Sequence, residues 1–447
     1  MSRLHIDDIL ADPHAYAAAI RKVFGKRNRL NKGFMQAYGG VSYYAAYLRN
    51  RSLGKVLAKT VASGDYVFAP VDLWFLKLRS KTRAVHRATF IDQIIGAVVY
   101  QVVSENARVL GLPGLYSYLP GKSNYQAMQD FAAYVRDYRR RVPDPRKRGL
   151  FVLQSDFEKY GDNLPVHQDA FIWTKLREVI EVGTDRAISD NAWQLIQSLV
   201  RPVVRDPGGL EFSRLRGIPM GTPIVPMVNV LAAAPLDEML ADTEGAFYAR
   251  FNDDFLIAHP DRDVVINADA KINELLKPLG VQRNKKKDIL TYFNGAGRRC
   301  EMDSRFQGSS HIDFLGLSVT FAGTVAAGPK RIARVMTEVC RRLDRTAHAI
   351  RDYHIDARAA CLSRVTNRML TPGHAFTVPG MASMLRDTND RSLLRDIDYR
   401  IARKIVQCAT EQPGVRGFRR LSMRELRERH GLMSLVQIRN AAIPRSG

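Results

Sequence analysis

The segment Ala249-Arg-Phe-Asn-Asp-Asp-Phe-Leu-Ile-Ala258 sets two adjacent carboxylates, Asp253 and Asp254, between runs that alternate or are wholly apolar. Asn-Asp is a favoured hairpin-turn pair. Phe247, Ala249 and Phe251 fall on one strand face and Phe255 and Ile257 on a face of the return strand, which predicts a β-hairpin with the acids at its tip. Taken alone, the pair also reads as an acidic turn. Upstream, Leu150-Phe-Val-Leu-Gln-Ser-Asp156-Phe157 is an apolar, strand-like run ending on a third aspartate. Crowded carboxylates repel unless cations lie between them, and acids at two strand ends can meet at one point. Such oxygen donors suit two hard divalent ions and the chemistry of phosphoryl or nucleotidyl transfer, one ion activating a 3′-hydroxyl and the other steadying pyrophosphate.

The elements that must position these acids are also readable. Between them lies Arg216-Gly-Ile-Pro-Met-Gly-Thr-Pro-Ile-Val-Pro226, whose Gly and Pro spacing describes a tight loop entering a helix that spans Met227 to Leu240. Residues 1–70 read as mostly helical, with Tyr43, Tyr44, Tyr47 and Leu48 as an aromatic cluster that either packs or touches RNA, packing being the expected role. The run Tyr138-Arg-Arg-Arg-Val-Pro-Asp-Pro-Arg-Lys-Arg-Gly149 reads as a basic loop ahead of the strand that ends on Asp156, either solvated or in contact with a template. After residue 326, Ile332, Val335, Met336, Val339, Leu343 and Ile350 recur at helical spacing. A second helix is expected around Ser392 to Ala409, and a third opened by the capping pair Ser422 and Glu425 and closed by Gly431.

In this order, Asp156, Gly217-Ile-Pro-Met-Gly-Thr-Pro223 and Phe251-Asn-Asp-Asp254 resemble the catalytic signature of reverse transcriptases. Further segments resemble the same family. Lys277-Pro-Leu-Gly-Val-Gln-Arg-Asn-Lys-Lys-Lys-Asp288 is similar to the segment whose lysine, here Lys287, sits near the incoming triphosphate. Asp313-Phe-Leu-Gly-Leu317 is similar to the primer grip, with Phe314, Leu315 and Gly316 as its members. Lys77 to Asp92 resembles the basic fingers hairpin, and Tyr116-Ser-Tyr-Leu-Pro-Gly-Lys-Ser123 a segment of prokaryotic members, in which Lys122 is a candidate nucleic-acid contact.

The resemblance implies an α+β right-hand polymerase of fingers, palm and thumb with an all-helical C-terminal region. The expected division is an N-terminal helical extension at 1–70, fingers at 71–150, palm with an interrupting fingers segment and the primer-grip hairpin at 151–325, and helical thumb with a basic C-terminal region at 326–447. It implies Mg2+ as cofactor, two ions with Mn2+ as an alternative, held by Asp156, Asp253 and Asp254 with the Phe157 carbonyl beside them. Nucleotide-binding candidates are Lys81, Arg83, Tyr160, Gly161, Pro219, Met220, Gly221 and Lys287. The alternation of Lys77, Arg79, Lys81 and Arg83 equally suits a solvated strand face. Three positions depart from the family: Met220 stands where Gln is common, Phe251 where Tyr is common, and Gly161 where a Phe or Tyr ring normally blocks a ribose 2′-hydroxyl. Either Tyr160 takes over that task or sugar discrimination is weak.

Composition points the same way. Sixty-eight Lys and Arg against forty-five Asp and Glu leave +23, an excess that suits polyphosphate partners. Residues 331–447 carry 23 basic and 11 acidic residues, nearly all the basic ones arginine, which favours an RNA- or hybrid-binding surface with Arg416, Arg419 and Arg420 as candidates. The four cysteines lack paired ligand spacing, so no zinc site is expected, and they read as reduced residues of a cytoplasmic protein. No apolar stretch reaches a bilayer span, so no membrane partner is expected. The chain shows neither an HNH nor an RNase H pattern, nor the Val-Thr-Gly motif of retron enzymes. By resemblance, the expected function is primer extension with dNTPs on an RNA template or structured noncoding RNA, giving a DNA product, as in defence-associated reverse transcriptases of the unknown groups that act against phage. The competing readings are a retroelement or retron-like polymerase, template-independent or protein-primed DNA synthesis on the same palm, and an inactive nucleic-acid-binding scaffold, which the intact acids disfavour.

Overall fold

The computed structural model describes residues 5–25, 42–78, 81–184 and 186–442. The chain divides into two compact units, one of Met1–Asn124 with Leu150–Leu290 and one of Tyr125–Gly149 with Thr291–Gly447.

The first unit is built on the strand Leu150–Asp156, buried along its whole length as its unbroken apolar run predicts. It pairs antiparallel with Asp254–His259, which pairs in turn with Phe247–Phe251. The helix Phe90–Leu110, which packs on the helices Phe171–Glu181 and Val225–Ala232, starts at Thr89, whose side chain accepts from the Asp92 N–H, and stops at Gly111 in the left-handed conformation. The expected single helix from Met227 to Leu240 is instead two, Val225–Ala232 and Ala234–Ala241. Pro235 has no N–H to continue the first helix but suits the opening turn of the second. A separate sheet carries the basic hairpin, Val71–Leu78 against Lys81–Arg87, with Val204–Arg205 parallel to its first strand. The N-terminal segments described are helical, and the aromatic cluster divides: Tyr43 is buried edge-on against Phe90, whereas Tyr44 and Leu48 are exposed.

In the second unit the helix Asn124–Arg141 extends through Arg139, Arg140 and Arg141, which were expected in a loop. Cations are favourable in a helix's last turn, and only Pro143 and Pro145 force the chain out. His311–Phe314, Leu317–Thr320 and Val325–Ala327 form an antiparallel sheet. Seven helices follow from Pro329 to Ala442. Their shared core includes Val335, Val339, Leu343, Leu362, Ile401 and Ile405. The expected helices are present as Pro329–Ala349 and Arg391–Thr410, and Ser422 with Glu425 forms a capping box that opens Met423–Glu428. Among the described residues no helix is long and apolar enough to cross a membrane.

Candidate active site

The acidic hairpin turns at Asn252 and Asp253, with Asn252 at φ 60, a left-handed conformation that Asn tolerates better than most residues. Asp254 is already in the return strand. Register places it directly opposite Asp156, and the Phe157 N–H donates to the Asp253 carbonyl at 3.2 Å. Carboxylates from the ends of two adjacent strands therefore share one end of the sheet.

Their environments differ. Asp156 is buried, Asp253 half-buried and Asp254 exposed. Desolvation, then the negative charges of Asp253 and Asp156, push Asp254 up to about 6, with Lys287 pulling the other way. Since Asp254 is the open member of the three, repulsion by its neighbours is the more telling cause. One oxygen of Asp156 accepts from the Lys287 ammonium, and the other, Oδ1, is buried without a partner. That hydrogen bond and the surrounding carboxylates raise Lys287, although burial opposes them. The donor set is hard oxygen and carries an orphaned acceptor, which fits divalent cations. Among the described residues no group of three or more His, Cys, Asp or Glu side chains is placed to hold a metal ion as it stands. Here Lys287 supplies the compensating charge.

Lys287 is held in place by a network. The Asn284 N–H donates to the Asp156 carbonyl at 2.9 Å and the Glu158 N–H to Gln282 at 2.7 Å. Arg283 is ion-paired with Asp269 and Asp288, both at 2.5 Å, and Asp288 accepts from the Ser155 hydroxyl. The loop bearing Lys287 is thereby tied to the strand bearing Asp156.

Arg250 belongs to no motif that marks it in the sequence. Its guanidinium, fully buried, makes a two-point contact with the equally buried Asp237, at 2.7 and 2.5 Å, and donates to the carbonyls of Asn252 and Val230, each at 2.8 Å. Tyr248 donates to the same aspartate at 2.8 Å. Burial raises the Asp237 carboxyl, but the guanidinium works against it, and two-point contact with an arginine that stays protonated keeps the pair ionic. The bond to Asn252 fixes the turn next to Asp253. The other edge of the hairpin is braced by residues 114–117: the Arg250 N–H donates to Gly114, the Tyr116 N–H to Arg250, and the Asn252 N–H to the Ser117 hydroxyl. A Cβ at Gly114 would come within 2.3 Å of the Tyr248 ring, so only glycine permits this approach. A sequence signal existed only in the apolar setting of Asp237 and Arg250, two charged residues in otherwise buried elements.

The loop 216–223 lies beside Tyr160 and Gly161. The Ile218 N–H donates to the Gly161 carbonyl and the His86 N–H to the Met220 carbonyl, at 2.8 and 2.7 Å. Gly221, at φ 115, has no room for a Cβ against the His86 carbonyl. Tyr160 is removed from the sugar-blocking role considered for it: its ring is buried against Phe157, and its hydroxyl donates to the Asn229 carbonyl. An apolar ring next to a buried strand gains more from the core than from the cleft. Gly161 instead faces Met220, whose Sδ would lie 3.0 Å from a Cβ built there. Met220 is partly exposed and Pro219 is buried.

The remaining candidates are placed as follows. Arg83 is exposed on the basic hairpin opposite Leu76; Lys81 opens that strand, but its side chain lies outside the described residues, as does Arg79. Lys122 stands over the Tyr116 ring at 4.9 Å. In the second unit, Leu315 and Gly316, both at positive φ, form the tight turn after Phe314. Arg416, Arg419 and Arg420 are exposed on the short helix Gly414–Arg420.

No family model matches the chain, and no curated protein matches it. Among solved structures it is similar to telomerases. The apo telomerase of Candida tropicalis truncated of its C-terminal domain matches at 14% identity and TM-score 0.44, covering 58% of this chain and 56% of that one. The Candida albicans telomerase with a TWJ fragment of telomeric RNA matches at 14% identity and TM-score 0.46, covering 78% and 61%. The chain thus spans less than two thirds of those chains.

Proposed function

We propose that the chain is a reverse transcriptase that extends a primer on an RNA template by two-metal nucleotidyl transfer. The observation that carries this reading is the register of Asp156 against Asp254, with Asp253 in the adjoining turn and a partnerless oxygen on Asp156. Asp156, Asp253 and Asp254 would hold the divalent cations, with the Phe157 carbonyl as a further donor; when bound, such ions activate a 3′-hydroxyl and neutralise the leaving pyrophosphate. The chain's own residues supply position. Arg250 and Asp237 hold the turn, and the Arg283 network holds Lys287 beside Asp156, where its ammonium would meet an incoming triphosphate. The loop at 217–221 and the exposed Arg83 supply the rest of the nucleotide pocket, and the right-hand arrangement of fingers, palm and thumb follows from the same reading. The motif order near Tyr116–Ser123 and the arginine-rich helical region favour a bacterial enzyme that works with a dedicated noncoding RNA in antiphage defence.

Sequencing the nucleic acid that copurifies with the wild type and with Asp253→Asn tests the proposal. A discrete structured RNA in both, with complementary DNA in the wild type alone, is the expected result. Homopolymeric DNA without a complement would assign untemplated synthesis, and no DNA from an active-site-intact protein supplied with dNTPs and Mg2+ would refute polymerase activity.

A further inference from the structure

The second unit contains a cationic hollow of about 550 Å3 that the proposed chemistry does not use. Its size falls within the roughly 300–1,000 Å3 of small-molecule sites. Arg139 reaches it from the last turn of the helix Asn124–Arg141, Arg146 and Arg148 from the following loop, and Arg298 and Arg299 from the segment after the strand Ile289–Phe293; Glu301 is the one acid in its lining. Five guanidinium groups around one small volume repel unless anions are shared among them.

The neighbouring arginines show what ordinary pairing looks like. Arg140 and Arg141 both pair with Asp137, and Arg148 donates to the carbonyls of Val142 and Pro143. Among the described residues no carboxylate pairs with Arg139, Arg146, Arg298 or Arg299, and Arg139 Nε is buried with no hydrogen-bond partner. A helix C-terminus accounts for an arginine at 139 but not for those at 298 and 299.

The walls are also built rather than incidental. Asn294 clamps the loop carrying Arg298 and Arg299: its Oδ1 accepts from the N–H groups of Ala296 and Arg298 at 3.1 and 3.0 Å, and its Nδ2 donates to the Arg298 carbonyl at 2.8 Å. Phe321 lies beneath Arg139, 5.8 Å from guanidinium carbon to ring centre, and is held edge-on by Phe293. Tyr292 forms part of the lining and rests directly on Gly149, where any Cβ would meet its ring at 2.2 Å.

We propose that this hollow binds a phosphorylated nucleoside, with its phosphates on the arginines and its base against the aromatic and guanidinium faces. Planar guanidinium groups match phosphate in two-point geometry and also stack on rings. The ligand is either a free nucleotide or the 5′-phosphorylated end of an RNA strand, which carries the same chemistry. The site is independent of the three aspartates, so Asp253→Asn leaves its binding unchanged.

The test is fluorescence anisotropy on the full chain with three probes: labelled ATP, a short single-stranded RNA with a 5′-phosphate, and the same RNA with a 5′-hydroxyl. Arg298 and Arg299 are exposed, so Arg298→Glu with Arg299→Glu keeps the fold, checked by the melting temperature. The expected result is about a tenfold loss of affinity in the double variant for ATP, which assigns a free nucleotide, or for the 5′-phosphorylated RNA alone, which assigns a strand end. Wild-type affinity of the variant for both phosphorylated probes overturns the proposal. So does an equal loss for the 5′-hydroxyl RNA, because that reports general surface charge.

Discussion

The acidic hairpin has two sides that treat charge in opposite ways. On the inner side, Arg250 and Asp237 are wholly buried and matched to each other and to backbone carbonyls. On the outer side, three carboxylates crowd one another, one oxygen has no partner, and a single ammonium offsets only part of their charge. Charge on the inner side is neutralised to fix position. Charge on the outer side is left in excess, and a site with uncompensated negative charge on a rigid support is where a cation gains most.

Removing one charge from each side separates these roles. Asp253→Asn keeps shape and hydrogen bonding but weakens cation binding, so nucleotide incorporation should fall by about a thousandfold or more while the melting temperature without Mg2+ is unchanged. Incorporation at the wild-type rate by a clean preparation would falsify the assignment. Asp237→Asn should do the reverse, leaving Arg250 buried without its counter-charge. A loss of about 3–5 kcal/mol in a urea titration is expected. Asp237→Leu with Arg250→Met should recover much of that stability yet leave incorporation low, since nothing then holds the Asn252 carbonyl. Recovery of both would show that the pair supports the fold and not the turn.

The loop beside the site offers a pH test. Burial, then the charge of Arg214, lower His86 to about 4 from its ordinary 6.5. Between those values the unfolded chain binds the extra proton and the folded chain does not. Stability should therefore drop as pH falls from about 6.5 to 4, by at most about 3 kcal/mol, and thermal melts of His86→Leu should lose that slope. A smaller effect is expected at Met220, which occupies the space beside Gly161. Met220→Ala should raise ribonucleotide use relative to deoxyribonucleotide use by about tenfold, read as a ratio of kcat/KM values. Gly161 does not need a positive φ, so Gly161→Phe in the Met220→Ala background should restore discrimination. An unchanged ratio in both variants places sugar selection elsewhere. The smallest change belongs to the exposed helix Gly414–Arg420. Replacing Arg416, Arg419 and Arg420 with Ala should reduce the slope of log affinity for single-stranded RNA against log salt by about 2, and an unaltered slope means that these arginines meet only water.

Local signals in the chain specify much of the site. Asn252 before two acids, alternation on either side, and the apolar run ending on Asp156 specify a hairpin and a strand through contacts a few residues apart. Helical spacing from Ile332 and the Ser422–Glu425 capping box work over the same short range. Pro235 was also legible as a helix break, but an apolar periodicity running past it masked the signal.

What tertiary structure decided was which charges meet and which rings are removed from the cleft. Arg250 and Asp237 are thirteen residues apart, on a strand and a helix that meet only once the core forms. Tyr160 and Gly161 are neighbours in sequence, but one enters the core and the other faces Met220. Arg139 and Arg298 belong to separate stretches brought to one hollow by the packing of Phe321 and Tyr292. The physical reason is range: turns, caps and periodicity are settled by backbone geometry within one or two turns of chain, whereas burial and ion pairing depend on desolvation that exists only after distant segments have packed.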